Sequence, residues 1–162
     1  MIKAINKLSF DLNIIGTGPY KKELEKLAVG NSRIKFIGRV SDEELKEYYA
    51  KCRALIFPGE EDFGISPLEA QASGRPVIAY AKGGALETII EGETGLFFKE
   101  DNEDSLVDAI NQFVKIENSF DPQNIRAHAL KFDKEIFKIN FKNLEFYASS
   151  NTPMMSSSFI TR

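Results

Sequence analysis

One cysteine and one histidine stand in 162 residues, Cys52 and His128. Counting alone excludes an internal disulfide, a zinc centre built from cysteine and histidine, and chemistry that needs two histidines. Long apolar runs are lacking as well, the longest being about five residues against the ~20 that span a bilayer. The opening MIKAINKLSFDLNII is broken by Lys, Asn and Asp where a signal peptide needs an unbroken apolar region, so a cytoplasmic location is expected. No basic run is present, and the net charge is -3. A chain of that kind cannot follow a phosphate backbone by releasing counterions, and nucleic acid is not an expected partner.

What remains is a composition of 43% hydrophobic and 28% charged residues, which fits one globular domain with a real core. Short β-branched apolar runs alternate with helical patterns. That rhythm predicts an α/β fold, a Rossmann-like and mostly parallel sheet with helices on both faces. Strands are expected at Leu12–Ile15, Ile34–Ile37, Ala54–Phe57, Val77–Ala79 and Gly95–Phe98. Leu45, Tyr48, Tyr49 and Cys52 form one core-facing helical stripe, and Leu106, Val107, Ile110, Phe113 and Val114 form another. Cys52 reads as a small buried apolar residue rather than a nucleophile, and His128 as an ordinary helix-surface or core histidine. Ser41-x-x-Glu44 and Ser66-x-x-Glu69 both match a capping box, the second with Pro67 at the first helical position. Asp121 and Asp133 are further expected caps, with a long amphipathic helix near Phe132–Tyr147. The domain is expected over 1–148, and the Ser-rich 149–162 as a disordered tail. MIKAINKL reads as the second half of a helix, so the alternation begins in mid-unit and a strand before Met1 is expected to be missing.

Three strand ends offer loops that could line a ligand crevice. Gly16 and Gly18 let a backbone approach a ligand, although a tight βα turn accounts for the same residues. A dinucleotide fingerprint would want glycine where Lys21 stands, and the next strand ends in Gly38 rather than in an acid for the ribose, which counts against a dehydrogenase. The backbone of Arg39 and Val40 follows that strand and could meet a base. The third loop, PGEEDFGISPLE, sets Glu60, Glu61 and Asp62 ahead of a helix start. Unpaired N–H groups and positive partial charge at that start suit phosphate. Glu69 can be read as a capping acid, but Phe63-Gly64 between the glutamates is not explained that way. Gly64 opens access to the first-turn N–H groups. Lys82-Gly83-Gly84 reads as a turn needing positive φ.

The segment EDFGISPLEAQASGRPVIAYAKGGALETIIEGETGLFF resembles the donor-binding core of GT-B retaining glycosyltransferases, with their E-x7-E motif on Glu61 and Glu69. The likeness runs from about residue 2 to 148. It implies the C-terminal, Rossmann-like half of such an enzyme, binding a nucleotide-sugar as substrate with no cofactor and no metal. It also implies that Glu61 meets sugar hydroxyls as the catalytic residue, either as a nucleophile or by holding the sugar while the acceptor attacks from the leaving-group side, positioning being the favoured of the two. The N–H groups of Phe63, Gly64, Ile65 and Ser66 would meet sugar and diphosphate, and Glu69 the ribose hydroxyls. Gly16, Gly18 and Val40 complete the expected donor contacts, and Glu60 and Asp62 are expected bystanders. The wording of the segment, with FDPQNIRAHALKFDKEIFK, is most similar to mannosyltransferases that use GDP-mannose. The acceptor, a glycan or lipid-linked sugar, would be held by an N-terminal domain not seen here, and any peripheral membrane contact would come through that half. The family's diphosphate-neutralising Arg and Lys have no match in this chain. The expectation is therefore a donor-binding domain inactive alone, the alternative being a non-catalytic nucleotide-sugar-binding module.

Overall fold

Five short strands form where β-branched and aromatic runs meet glycine or proline boundaries, and helices fill the intervals. A computed structural model describes residues 1–133. In chain order the elements are α1 (Ile2–Asn6), β1 (Leu12–Ile15), α2 (Lys21–Leu27), β2 (Ile34–Gly38), α3 (Asp42–Lys51) and β3 (Leu55–Phe57). They continue with α4 (Ile65–Ala72), β4 (Val77–Tyr80), α5 (Ala85–Thr88), β5 (Gly95–Phe98), α6 (Glu103–Ile116) and α7 (Pro122–Ala129). Met1–Ala129 is one unit, and the 3-10 turn Leu130–Phe132 belongs to a second. The helix expected over Phe132–Tyr147 and the tail at 149–162 lie outside the described residues, apart from the 3-10 turn that ends at Phe132.

All strand pairs are parallel, as expected, and they form two sheets, β1-β2 and β3-β4-β5. Among the described residues no strand pairs with the remaining edge of β1 or of β3, and the hydrogen-bond ladder stops there. The core nevertheless joins the sheets. Ile56, Ile78, Leu96 and Phe98 share one apolar cluster with Leu12 and Ile34 of the smaller sheet, Ile5 of α1, and Leu106, Ile110 and Phe113 of α6.

Period-two alternation of a strand sends neighbouring side chains to opposite faces. Leu55, Phe57, Val77, Ala79 and Phe97 accordingly fall in a second cluster with Tyr49, Ala70, Ala85 and Ile89. Both faces of β3-β4-β5 are therefore covered, as near-continuous apolar strands of a parallel sheet require. The α3 stripe packs as its spacing predicts, with Tyr49 buried and Leu45, Tyr48 and Cys52 half-buried. Val114 departs from expectation, being exposed at the edge of the α6 stripe.

Side-chain caps start three of the seven described helices, α3, α6 and α7. Ser41 Oγ accepts from Glu44 N at 3.2 Å while Glu44 Oε2 accepts from Ser41 N at 2.8 Å, a full capping box. Asp121 Oδ1 accepts from Gln123 N at 2.8 Å, with Pro122 opening α7. His128 of α7 is buried, as one of its two readings had it, with Nε2 3.1 Å from the Thr88 carbonyl oxygen. Gln71 Nε2 donates to the same oxygen at 2.9 Å, so α4, α5 and α7 meet on one acceptor.

Candidate functional site

In parallel strands the carboxyl ends lie together, so the loops after β3 and β4 share one end of the larger sheet. Those loops are Pro58–Gly64 and Ala81–Gly84. They are joined by a hydrogen bond from Gly84 N to the Glu61 carbonyl oxygen, 2.8 Å long. The fit depends on missing side chains. A Cβ on Gly84 would stand 2.5 Å from Asp62 O and 2.6 Å from Phe63 Cα, and one on Gly83 would collide with the Glu61 carbonyl. Gly83 also has φ +56, as the turn reading required, whereas Gly84 has φ -61 and is needed for space alone. The Gly-Gly doublet thus clamps the acidic loop from behind. Glu60 Oε2 lies 3.9 Å from Lys82 Nζ, both side chains exposed. An exposed pair of that length contributes little stability.

The start of α4 differs from the sequence expectation. The helix begins at Ile65 with Gly64 as N-cap in the left-handed region, φ 74 and ψ 78. Ser66 and Pro67 are thereby inside the first turn, and no Ser66/Glu69 capping box forms. The left-handed backbone at Gly64, which glycine adopts without strain, turns the chain into the helix one residue ahead of Ser66. Pro67 still costs no ladder bond, because first-turn N–H groups have no intrahelical acceptor. For the same reason the N–H groups of Gly64, Ile65 and Ser66 lie at the positive end of α4 with no place in its ladder.

Carboxylates precede and follow that end along the chain. Glu61 and Glu69 are both exposed, one in the loop and one in the second turn of α4. Glu69 Oε2 accepts from the buried Tyr49 hydroxyl of α3 at 3.1 Å. Sequence periodicity placed Tyr49 in the core and gave no sign of this bond, because the stripe argument reads the ring and not its polar tip. Burial first, and then the Glu69 carboxylate, push the Tyr49 hydroxyl from 10.0 up to about 12. Ser66 stands near enough to pull it slightly the other way.

That shift has a definite sign. A folded-state pKa raised above the unfolded value keeps the neutral phenol longer in the native protein, so its contribution is whole below pH 10 and falls as pH rises towards 12. Stability followed by denaturant unfolding should decline across that window, and Tyr49→Phe should flatten the decline. An unchanged slope in the variant would contradict the assignment.

Of the other expected donor contacts, Gly16 and the strand end before Val40 are brought together. Gly16, at φ +113, donates its N–H to the Gly38 carbonyl at 2.7 Å, so this amide is engaged within the fold. Gly18 has open space around it, and its carbonyl accepts from Lys21 N at 3.2 Å. No hydrogen bond or ion pair among the described residues links Gly16, Gly18 or Val40 to the 61–69 segment. Cys52 donates to the Tyr49 carbonyl at 3.3 Å, and burial raises its thiol pKa, which fits a packing role. Among the described residues no group of three or more His, Cys, Asp or Glu is arranged for a metal, and no helix is long and apolar enough to cross a membrane.

A cavity of about 270 Å³ lies at the other end of the larger sheet, before β3 and β4, lined by Cys52, Arg53, Arg75, Phe113 and Phe120 among others. Arg53 there is held by Glu117 through bonds of 2.9 and 2.6 Å, and the Arg75 guanidinium donates to the Ala50 carbonyl. Among the described residues the buried Arg75 Nε has no hydrogen-bond partner, and the cavity contains none of the residues expected to bind a donor.

Comparison with known proteins places the chain in a family. An uncharacterized glycosyltransferase of Methanocaldococcus jannaschii is 34% identical over 120 residues, which are 72% of this chain and 34% of that protein. The GDP-mannose-dependent alpha-(1-6)-phosphatidylinositol monomannoside mannosyltransferase of Mycobacterium tuberculosis is 35% identical over 114 residues, 64% of this chain and 30% of that protein. The chain thus spans about a third of the length of these relatives. Among solved structures, Anabaena HepE in complex with UDP-glucose superimposes with a TM-score of 0.74 at 26% identity, covering 91% of this chain and 44% of that one. The α/β architecture is that of one half of a GT-B glycosyltransferase. The family model for glycosyl transferases group 1 matches residues 1–131, and the chain belongs to that family.

Proposed function

We propose that this chain is the donor-binding part of a retaining hexosyltransferase, taking a nucleotide-sugar, GDP-mannose first among candidates, for transfer to a glycan or lipid-linked acceptor. The observation that carries the reading is the division of the 61–69 segment into two kinds of group. Exposed carboxylates, Glu61 and Glu69, come before and after the first-turn N–H groups of Gly64, Ile65 and Ser66 along the chain. A carboxylate takes two hydroxyl donors and binds them more strongly than a neutral acceptor does, which suits vicinal diols. The same carboxylates repel phosphate, for which the helix start is the matching partner.

In this reading Glu61 holds the hexose and Glu69 the ribose, while the N–H groups between them stabilise the diphosphate as it departs. Phe63, 48% exposed beside Gly64, lends its N–H and a wall to the sugar. Gly16, Gly18 and Val40 contribute loop backbone towards the base. Retention follows if the acceptor attacks from the side of the leaving diphosphate while Glu61 only positions the sugar. The mannosyltransferase named above supports the guanine nucleotide and mannose, and the bound UDP-glucose of HepE supports the donor class. No cofactor is needed in this scheme.

Ligand protection tests the proposal. Anything that binds the native state alone raises its apparent stability, by about 2.7 kcal/mol at a hundred times Kd. GDP-mannose should raise the unfolding midpoint of the chain more than UDP-glucose does, and NAD should leave it unchanged. Protection by NAD alone would overturn the reading.

A further inference from the structure

Tyr49 lies outside the loop that carries the proposed site, yet its hydroxyl is bonded to one of the two carboxylates in it. We propose that Tyr49 is a positioning residue that fixes the Glu69 carboxylate for recognition of a ribose diol, an inference that rests on the donor-binding reading above. Three observations carry it. Tyr49 is 9% exposed and packed with Phe57, Ala70 and Val77, so its ring is seated in the core. Glu69 is exposed on α4, with no ion pair recorded to it among the described residues. The bond between them, 3.1 Å to Oε2, joins α3 to the second turn of α4.

A solvent-facing glutamate samples many rotamers, and the entropy of fixing them opposes binding. Anchoring one carboxylate oxygen to a buried hydroxyl removes much of that cost before the ligand arrives. Ionised carboxylate accepts at about four lone-pair sites, so one donated bond leaves capacity for two ribose hydroxyls. Phenylalanine at position 49 would keep the packing and lose the anchor. The role is thus separable from the structural one by chemistry that only the ribose reports.

The experiment measures binding of GDP and 2′-deoxy-GDP to the whole chain by calorimetry, for the native sequence, Tyr49→Phe and Glu69→Gln. One charge-assisted hydrogen bond corresponds to about tenfold in affinity, so GDP should be preferred by about tenfold in the native chain. Tyr49→Phe should cut that preference to about threefold while leaving the affinity for inorganic pyrophosphate unchanged. Glu69→Gln should cut it at least as far. If Glu69→Gln loses the preference and Tyr49→Phe keeps it, the positioning role is overturned and the Glu69 assignment stands. No preference in the native chain overturns the Glu69 assignment itself. Where Tyr49→Phe does not fold, ring-carbon resonances of labelled tyrosines in the native chain and in Glu69→Gln decide the matter. One tyrosine should change its alkaline midpoint on substitution of Glu69, and none changing would overturn the inference.

Discussion

Gly84→Ala is expected to displace the acidic loop and to weaken donor binding by about tenfold or more. The added Cβ would lie 2.5 Å from Asp62 O, 2.6 Å from Phe63 Cα and 2.7 Å from Phe63 O, all backbone atoms that cannot swing aside like a side chain. Relief must come from moving the Glu61–Gly64 backbone or stretching the 2.8 Å bond from Gly84 N to Glu61 O. Overpacking of this kind costs about 1–3 kcal/mol of stability. Misplacing a binding group by an ångström can cost about a hundredfold in rate. Gly59→Ala is the matched control, since a Cβ there meets nothing within 4 Å and no positive φ is involved. Urea unfolding and calorimetry on both variants check the expectation. Equal affinities for the two would show that the Gly-Gly clamp does not set the loop.

Glu61→Gln, placed in a full-length enzyme carrying this domain, is expected to lower turnover by about tenfold to a hundredfold. The amide keeps the size of the side chain and removes the charge, and hydrogen bonds to a charged group are worth about 1.5–3 kcal/mol against about 1 for neutral ones. The loss should appear in kcat as well as in KM if the bonds to the sugar strengthen as charge develops at the anomeric carbon. No glycosyl adduct should accumulate on the protein, because positioning involves no covalent bond to Glu61. Intact-mass measurement under turnover reads this directly, and an adduct on Glu61 would replace positioning by nucleophilic catalysis.

These expectations depend on how far the sequence could be read. All five strands fall within a residue or so of their predicted limits, because short β-branched runs bounded by glycine leave little freedom of assignment. The Ser41/Glu44 box was legible for a similar reason, its two bonds being local. The equivalent signal at Ser66 and Glu69 was misleading. There the left-handed turn at Gly64 starts the helix before Ser66, and the Glu69 carboxylate meets Tyr49 instead of the Ser66 backbone.

The parts of the site that stayed illegible are those made by contacts between distant segments. Gly83 and Gly84 looked like a turn, and the turn is real, but their close approach to Glu61–Phe63 exists only once β3 and β4 are paired. Tyr49 was visible as an apolar repeat, while its hydroxyl partner comes from the next βα unit. The ladder break between the sheets leaves no mark in the five strands themselves, and the one sign of it was the helical pattern of MIKAINKL, from which a missing strand was expected.

Backbone amide shifts during a titration of the labelled chain with GDP-mannose test the central claim most directly. The account predicts that the largest changes fall on Phe63, Gly64, Ile65 and Ser66, with Glu69 next, and that Cys52, Arg53 and Arg75 at the other end of the sheet stay still. Changes centred on Arg53 and Arg75 with a quiet α4 N-terminus would contradict it.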